Sequence, residues 1–208
     1  PVGGVGVEQS IEDILDSPTF GFTGGYTTTD QDPMALDGYE FTDYDMVILC
    51  MGEEETGAID DGILEDLIDY MNTPWKTIYV EGPDFGENYG AVAGVARNFY
   101  QEFGINWAAG HDNSPVDTLR ANEDVFGLYF KGTYPGGTDV DDLLLNEASA
   151  ALYSQDGLVR ASYRVVDANK KRIASTIYVG ALEGRDGYAM DERVLGQYLL
   201  EAGLDNTS

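Results

Sequence analysis

The 208-residue chain has very few of the residues that form disulfides or metal clusters, with one cysteine, Cys50, and one histidine, His111. One cysteine forms no disulfide within the chain, and a structural zinc site needs about four Cys or His ligands. Cys50 and His111 are also the only Cys–His combination available for nucleophilic catalysis. Because Leu49 and Met51 flank Cys50, the sequence favours a cysteine that is buried as a small apolar residue.

Basic residues are also scarce, because 11 Lys and Arg stand against 38 Asp and Glu, which gives a net charge of −27. This charge repels nucleic acid and anionic lipid, so both are excluded as partners. The acidic residues are spread along the chain, which indicates an acidic surface on all sides. High salt screens such a surface and divalent cations bind it, so we expect a halophilic, extracellular or cell-surface protein.

Long apolar runs are absent from the sequence, since none approaches the roughly 20 residues that span a bilayer. Residues 1–16 lack the pattern of a signal peptide, and no glycine-rich run has the spacing of a phosphate-binding loop. Apolar residues make up 43% of the chain, which is enough for a hydrophobic core. We expect one domain over residues 1–208, irregular over residues 1–40, without membrane insertion or a nucleotide cofactor.

Two short apolar runs, residues 45–51 and 76–81, alternate with stretches of helical periodicity, as in a parallel sheet covered by helices. Asp60 or Asp61 can cap the first helical stretch, whose apolar residues repeat at helical spacing, and the second stretch carries Val92 on its apolar stripe. The first run shows no alternation, which is typical of a strand buried on both faces. After residue 104, strand-like runs follow one another without helix-length segments between the last three, and a final helix ends the pattern. The sequence therefore predicts a three-layer α/β fold with a mostly parallel central sheet, helices on both faces and an antiparallel hairpin extension.

The order of these parts over roughly residues 40–203 resembles the flavodoxin-like, class I glutamine-amidotransferase-like domains of secreted multidomain bacterial proteins. The strings that carry the resemblance are YDMVIL at 44–49, DYM at 69–71, TIYVEGPDF at 77–85 and FGI at 103–105.

The same resemblance has a consequence for catalysis. Catalytic members of this superfamily carry a cysteine in a Gly-x-Cys-x-Gly turn between a strand and a helix. The matching segment here, residues 80–86, reads VEGPDFG and has no Cys or Ser at the tip. The resemblance therefore implies the scaffold without the catalytic nucleophile.

Carboxylates follow the two predicted strands at residues 45–51 and 76–81. Glu53 and Glu54 come after the first strand, and Glu81 and Asp84 come at the end of the second. Open α/β sheets bind ligands at the carboxyl edge of their strands, so a cluster of these four side chains is suited to binding a cation or to acid–base chemistry. In a chain with 38 acidic residues, coincidence is the simpler explanation of the same pattern.

Two Asp-rich loops are candidates for calcium, which takes six to eight oxygen ligands. Their candidate ligands are Asp30, Asp32 and Asp37 in the first loop and Asp139, Asp141 and Asp142 in the second. Neither loop has the spacing of an EF-hand, and Asp residues also cap turns and helices. The cofactor prediction is therefore either none or calcium.

These patterns lead to two functional hypotheses of different classes. The first is a non-catalytic extracellular or cell-surface domain that binds protein partners or assembles with itself into a fibre or surface layer. The alternative is a carboxylate- or cation-dependent hydrolase with its site at the carboxyl edge of the sheet. The missing nucleophile favours the first hypothesis, and the carboxylates at residues 53, 54, 81 and 84 motivate the second.

The charge generates a prediction about salt. Because repulsion among 38 acidic side chains favours expansion, lowering the salt from about 1 M, where the screening length is about 3 Å, should lower the unfolding midpoint. The measurement is a thermal melt followed by circular dichroism over a series of NaCl concentrations. A midpoint that is the same in dilute and molar salt would contradict this prediction.

Overall fold

The computed structural model describes residues 7–18, 20–27, 40–51, 59–109, 115–127, 131–137, 140–168, 170–184 and 190–204. Its helices are α1 (Val7–Leu15), α2 (Asp61–Asn72), α3 (Val95–Gln101), α4 (Glu123–Phe126) and α5 (Met190–Glu201). Its strands are β1 (Met46–Cys50), β2 (Thr77–Glu81), β3 (Ile105–Asn106), β4 (Val116–Ala121), β5 (Lys131–Gly137), β6 (Leu144–Leu145), β7 (Ser149–Ser154), β8 (Val159–Asp167), β9 (Lys170–Ser175) and β10 (Glu183–Gly184). Within these stretches, no helix has both the length and the apolar composition needed to cross a membrane.

The main sheet contains eight strands in the order β1-β2-β9-β8-β7-β4-β5-β10, and β3 and β6 form a small antiparallel pair. Only β1 with β2 and β2 with β9 pair in parallel in the described sheet. The prediction of an α/β fold is confirmed, but the prediction of a mostly parallel sheet is wrong. Parallel neighbours need long crossover connections, and the chain after residue 104 has short connections that join antiparallel neighbours instead.

Strand β9 is the point at which the sheet changes direction. It pairs in parallel with β2 and antiparallel with β8, with Ser175 beside Glu81 on one side and Ala161 on the other. The predicted hairpin of β8 and β9 is therefore present, but it lies in the middle of the sheet and is not an extension of it.

Helices cover both faces of the sheet around β2 and β9. On one face, Tyr79 and Ile173 share a hydrophobic cluster with residues of α1 and α5. On the other face, Ile78, Val80 and Ala174 share a second cluster with residues of α2 and α3. Because neighbouring residues of a strand point to opposite faces, these two strands supply both cores at once.

Strand β1 differs from its prediction as a strand buried on both faces. Each of its residues is half-buried, whereas every residue of β2 is buried. The reason is position, because β1 lies at the end of the sheet and has β2 as its one partner strand among the described residues. Apolar composition predicted the strand correctly but did not reveal that it lies at an edge.

Helix α2 begins where the sequence predicted. The Oδ1 atom of Asp60 accepts a hydrogen bond from the Gly62 N–H at 2.8 Å, which is the interaction of an N-cap residue. The stripe that it buries consists of Ile63, Leu64, Leu67, Tyr70 and Met71. A continuous second helix was predicted to carry Val92 on its apolar stripe, but α3 begins only after Gly94, and Val92 is 50% exposed.

Gly104 joins the end of α3 to the turn before β7. Its carbonyl oxygen accepts hydrogen bonds from the N–H groups of Asn146, Glu147 and Ala148 at 2.9, 3.0 and 3.2 Å. Its φ angle is +70°, and a Cβ atom added here would lie 2.9 Å from the Ala148 nitrogen. The position therefore requires glycine both for its backbone conformation and for the close approach of another backbone segment.

We predict that Gly104→Ala lowers the free energy of unfolding by about 3 kcal/mol, through left-handed strain and overpacking together. Gly157→Ala is the matched control, because Gly157 has a φ of +86° and nothing within 4 Å of the added Cβ. The control should lose only about 1 to 2 kcal/mol in urea unfolding. Equal losses for the two variants would show that the contact with Ala148 has no energetic role.

Candidate functional site

The carboxyl ends of the three parallel strands meet at one edge of the sheet, where the sequence placed the candidate cleft. Cys50 at the end of β1, Glu81 at the end of β2 and Ser175 at the end of β9 stand side by side in the strand register. Glu81 therefore lies at the centre of this edge. Glu53 and Glu54, which were predicted to join it, lie outside the described residues.

The carboxylate of Glu81 is fully buried and accepts three hydrogen bonds. Its Oε2 atom accepts one from the Tyr79 hydroxyl at 2.5 Å and one from the Val179 N–H at 2.9 Å. Its Oε1 atom accepts one from the Cys50 thiol at 3.5 Å. Glu81 thereby joins β1, β2 and the 3-10 helix Val179–Ala181, and both of its oxygens are occupied by internal donors.

Burial dominates the electrostatics of this cluster. It raises the pKa of Glu81 to about 7, although the hydrogen bonds from Tyr79, Val179 and Cys50 favour the charged carboxylate and act in the opposite direction. Burial and the neighbouring Glu81 also raise the pKa of Tyr79 and of Tyr198, whose ring lies 4.9 Å from that of Tyr79. Both phenols are therefore protonated at neutral pH, and that of Tyr79 is a donor to Glu81.

Cys50 packs against the core, but it is half-buried and not buried as the sequence favoured, and its thiol also donates to Glu81. His111, the other half of the predicted Cys–His combination, lies outside the described residues. Glu81 is the described group to which the Cys50 thiol donates, and with a pKa of about 7 it could accept a proton. Its carboxyl group is fully buried and also accepts bonds from Tyr79 and Val179, so in this conformation Glu81 does not contact a substrate.

The segment after β9 lies over this edge. The Tyr178 hydroxyl donates to the carbonyl oxygen of Met51 at 3.1 Å, and the next residue supplies the Val179 N–H to Glu81. The Ser175 hydroxyl donates to the carbonyl oxygen of Ile177 at 2.8 Å, which holds the turn between them. These bonds help to enclose Glu81, so a substrate does not reach it in this conformation.

Asp141, predicted as a calcium ligand, is buried against the loop that follows β2. Its Oδ2 atom accepts a hydrogen bond from the Glu87 N–H at 3.0 Å, and its own N–H donates to the carbonyl oxygen of Pro83 at 3.0 Å. Burial raises its pKa to about 7, and the nearby charges of Asp84 and Glu87 act in the same direction. Asp141 therefore serves here as a capping group for the π-helical turn Gly86–Gly90.

Arg160 is a fully buried residue of this region that the sequence analysis did not single out. Its guanidinium donates to the carbonyl oxygens of Val140 and Asp141 at 2.7 and 2.8 Å and to the Ser154 hydroxyl at 2.9 Å. Burial lowers its pKa, while Asp156, Asp142 and Asp141 oppose the shift. The sequence did contain a signal for this role, because Arg160 stands between Val159 and Ala161 in a strand. An arginine buried at such a position needs hydrogen-bond acceptors inside the protein.

Two of the predicted carboxylates, Glu81 and Asp141, have different surroundings. Glu81 lies with Tyr79 and Tyr198, whereas Asp141 lies with the loop of Asp84 and Glu87. Asp142 is also buried. The candidate ligands Asp30, Asp32, Asp37 and Asp139 lie outside the described residues. Within the described stretches, no three His, Cys, Asp or Glu side chains are grouped as a metal site.

The raised pKa of Glu81 generates a prediction about pH. Between about pH 4.5 and 7 the folded protein holds a proton on Glu81 that the unfolded chain has lost, so the free energy of unfolding falls as the pH rises through this window. The contribution is on the order of 3 kcal/mol, present below the window and lost above it. Glu81→Gln cannot titrate, so urea unfolding of this variant should show a smaller fall over the window than the wild type.

The matched control for that experiment is Glu65→Gln, which changes an exposed glutamate on α2. It should retain the wild-type dependence on pH. A Glu81→Gln profile parallel to the wild-type profile would contradict the assignment. Asp141→Asn should also reduce the fall in the free energy of unfolding as the pH rises, independently of Glu81, because burial raises the pKa of Asp141 as well.

Comparison of the chain with models of protein families and with curated proteins found no match.

Proposed function

We propose that this protein is a non-catalytic structural or binding domain of an extracellular or cell-surface protein, and that it assembles with copies of itself or with other proteins. The observation that carries this proposal is the enclosure of Glu81. The central carboxylate of the predicted site is fully buried, and its oxygens accept bonds from Tyr79, Val179 and Cys50. A catalytic carboxylate must instead contact the reacting group.

The other candidate groups support the same proposal. The Asp141 carboxylate is bonded to the Glu87 N–H, and its backbone N–H is bonded to Pro83. The segment at residues 80–86 lacks the nucleophile of catalytic amidotransferase-like domains, which agrees with a scaffold of that kind used without its chemistry. Asp84 is half-buried, so it is the described cleft candidate on which an acid–base role would have to rest.

The extracellular and halophilic part of the proposal rests on charge. Helix α2 illustrates it, because Asp61, Glu65, Asp66 and Asp69 are all exposed along one 12-residue helix that has no basic residue in its last turn. Acidic side chains at spacings of four residues repel one another in dilute salt. Molar salt removes this repulsion, and calcium would do so by binding carboxylates, so these two conditions are the ones in which to test assembly.

We predict that the purified chain forms particles larger than a monomer in about 1 M NaCl, where repulsion between copies is screened. The measurement is multi-angle light scattering, first without calcium, then with calcium and then with a chelator. Particles that appear with calcium and dissolve with the chelator would assign a cation to the assembly. A monomer in all three conditions would contradict self-assembly.

The hydrolase alternative is tested on the same sample with amide and ester substrates. We expect no turnover above that of the control variant Asp61→Asn, which changes an exposed carboxylate on α2. Turnover that Cys50→Ala or Asp84→Asn abolishes and Asp61→Asn preserves would overturn the proposed function in favour of an enzyme.

A further inference from the structure

Arg120 and Lys131 differ from the other basic residues in the described part of the chain. The side chain of neither residue forms a hydrogen bond or an ion pair with a described group, although the chain has 38 acidic residues. Other cations bond internally: Lys76 to the Tyr44 carbonyl oxygen and Arg97 to that of Gly90, for example. Two exposed cations that lack a partner among the described acidic residues require an explanation in so acidic a protein.

These two cations stand next to each other. Arg120 on β4 and Lys131 on β5 are direct partners in the antiparallel register, and both are exposed. Like charges directly opposite each other on neighbouring strands destabilise a sheet. An anion bound between them would reverse the sign of this interaction.

Arg120 is also held in place by an aromatic ring. The central carbon of its guanidinium lies 5.0 Å from the centre of the Tyr153 ring, which belongs to the neighbouring strand β7. Stacking on a ring restrains the guanidinium and leaves its N–H groups available for an oxyanion. The guanidinium is therefore preorganised before any ligand arrives.

The two cations line a cleft of about 410 Å³ that also contains Thr118, Ser154 and Asp156. This volume is within the range of small-molecule sites. Asp156 does not neutralise the pair, because its Oδ1 atom accepts from the Ser154 hydroxyl and the Leu158 N–H, and its Oδ2 atom lies 3.8 Å from the Arg160 guanidinium. Asp156 thus compensates the charge of the buried Arg160.

We propose that this cleft binds a small molecule that carries a carboxylate or phosphate group. Arg120 supplies a planar pair of donors that matches two oxygens of such a group, and Lys131 supplies a second positive charge. Thr118 lies two residues before Arg120 on the same strand, so it shares the face of the cleft and offers a hydroxyl. The site is independent of the proposed function, because it is four strands away from Glu81 along the sheet.

Charge favours a small ligand over a second copy of the chain as the source of the anion. Two copies of the chain repel each other because each has a net charge of −27, whereas a small oxyanion has only one to three negative charges. The repulsion that opposes entry is therefore much smaller for the small ligand. The cleft, with its walls and limited volume, also fits a small group better than a broad protein surface.

The experiment uses the full chain with two probes, sodium citrate and inorganic phosphate, each compared with NaCl at equal ionic strength. Binding is measured by isothermal titration calorimetry and by NMR of the arginine and lysine side-chain N–H groups. We expect shifts at Arg120 and Lys131 with at least one probe. The double variant Arg120→Gln/Lys131→Gln should bind that probe about tenfold or more weakly than the wild type does.

Gln101→Glu/Asn106→Asp is the matched control, because it makes the same change in net charge at two exposed positions away from the cleft. It should bind within about twofold of the wild type. Arg120→Lys keeps the charge but loses the planar donor pair, and it should bind with intermediate affinity.

Three outcomes would overturn the proposal. One is binding that is equally strong in Arg120→Gln/Lys131→Gln, and another is the absence of shifts at both cations with either probe. The third is a set of shifts at Arg120 and Lys131 that grows with protein concentration in the absence of a probe, which would assign the anion to a second copy.

Discussion

An excess of negative charge constrains this fold, and two of its few cations, Arg160 and Arg172, are buried. Arg172 on β9 donates to the carbonyl oxygen of Glu102 at 3.0 Å and to the Asn72 side chain at 3.1 Å, and it also pairs with the Glu102 carboxylate. It thus connects the ends of α2 and α3 to the centre of the sheet. Arg160 does the same for residues 140–141. These two buried cations therefore serve as internal links between elements.

The buried carboxylates Glu81 and Asp141 are retained with internal hydrogen-bond donors. Glu81 is the clearest case, since three donors compensate part of the cost of its burial, and the remaining cost appears as a raised pKa. Asp141 shows the same balance with fewer donors. Both groups lie where an open α/β sheet commonly binds ligands, yet both serve to hold neighbouring segments together. Position at a carboxyl edge therefore indicates a candidate site but does not by itself make one.

Local signals allowed part of the fold to be predicted from the sequence. The cap at Asp60 and the apolar spacing after it defined α2 correctly, because both signals lie within one helix. Strand β1 was recognised by composition, but its place at the edge depends on the order of the strands. Strand β4 was missed because Val116–Ala121 includes Asp and Arg residues that point to solvent.

The candidate site was less predictable than the fold, because its contacts join residues that are far apart in the sequence. That Glu81 meets Cys50 follows from the register of β1 and β2, but that it meets Val179 depends on a contact 98 residues away in the sequence. The pairing of Arg120 with Lys131 likewise depends on the register of β4 with β5. Sequence patterns identify which side chains are acidic or basic, whereas long-range register decides which of them become neighbours.

The position of β9 has a consequence for how the chain folds. Thr77 of β2 pairs with Lys171 of β9, so 94 residues separate two neighbours in the centre of the sheet. Closing so large a loop is entropically costly and slows folding. On the ribosome, β2 emerges long before its partner and keeps one backbone edge open while the next strands are made. The pairing at the centre of the sheet is therefore completed only after the residues between Thr77 and Lys171 have been made.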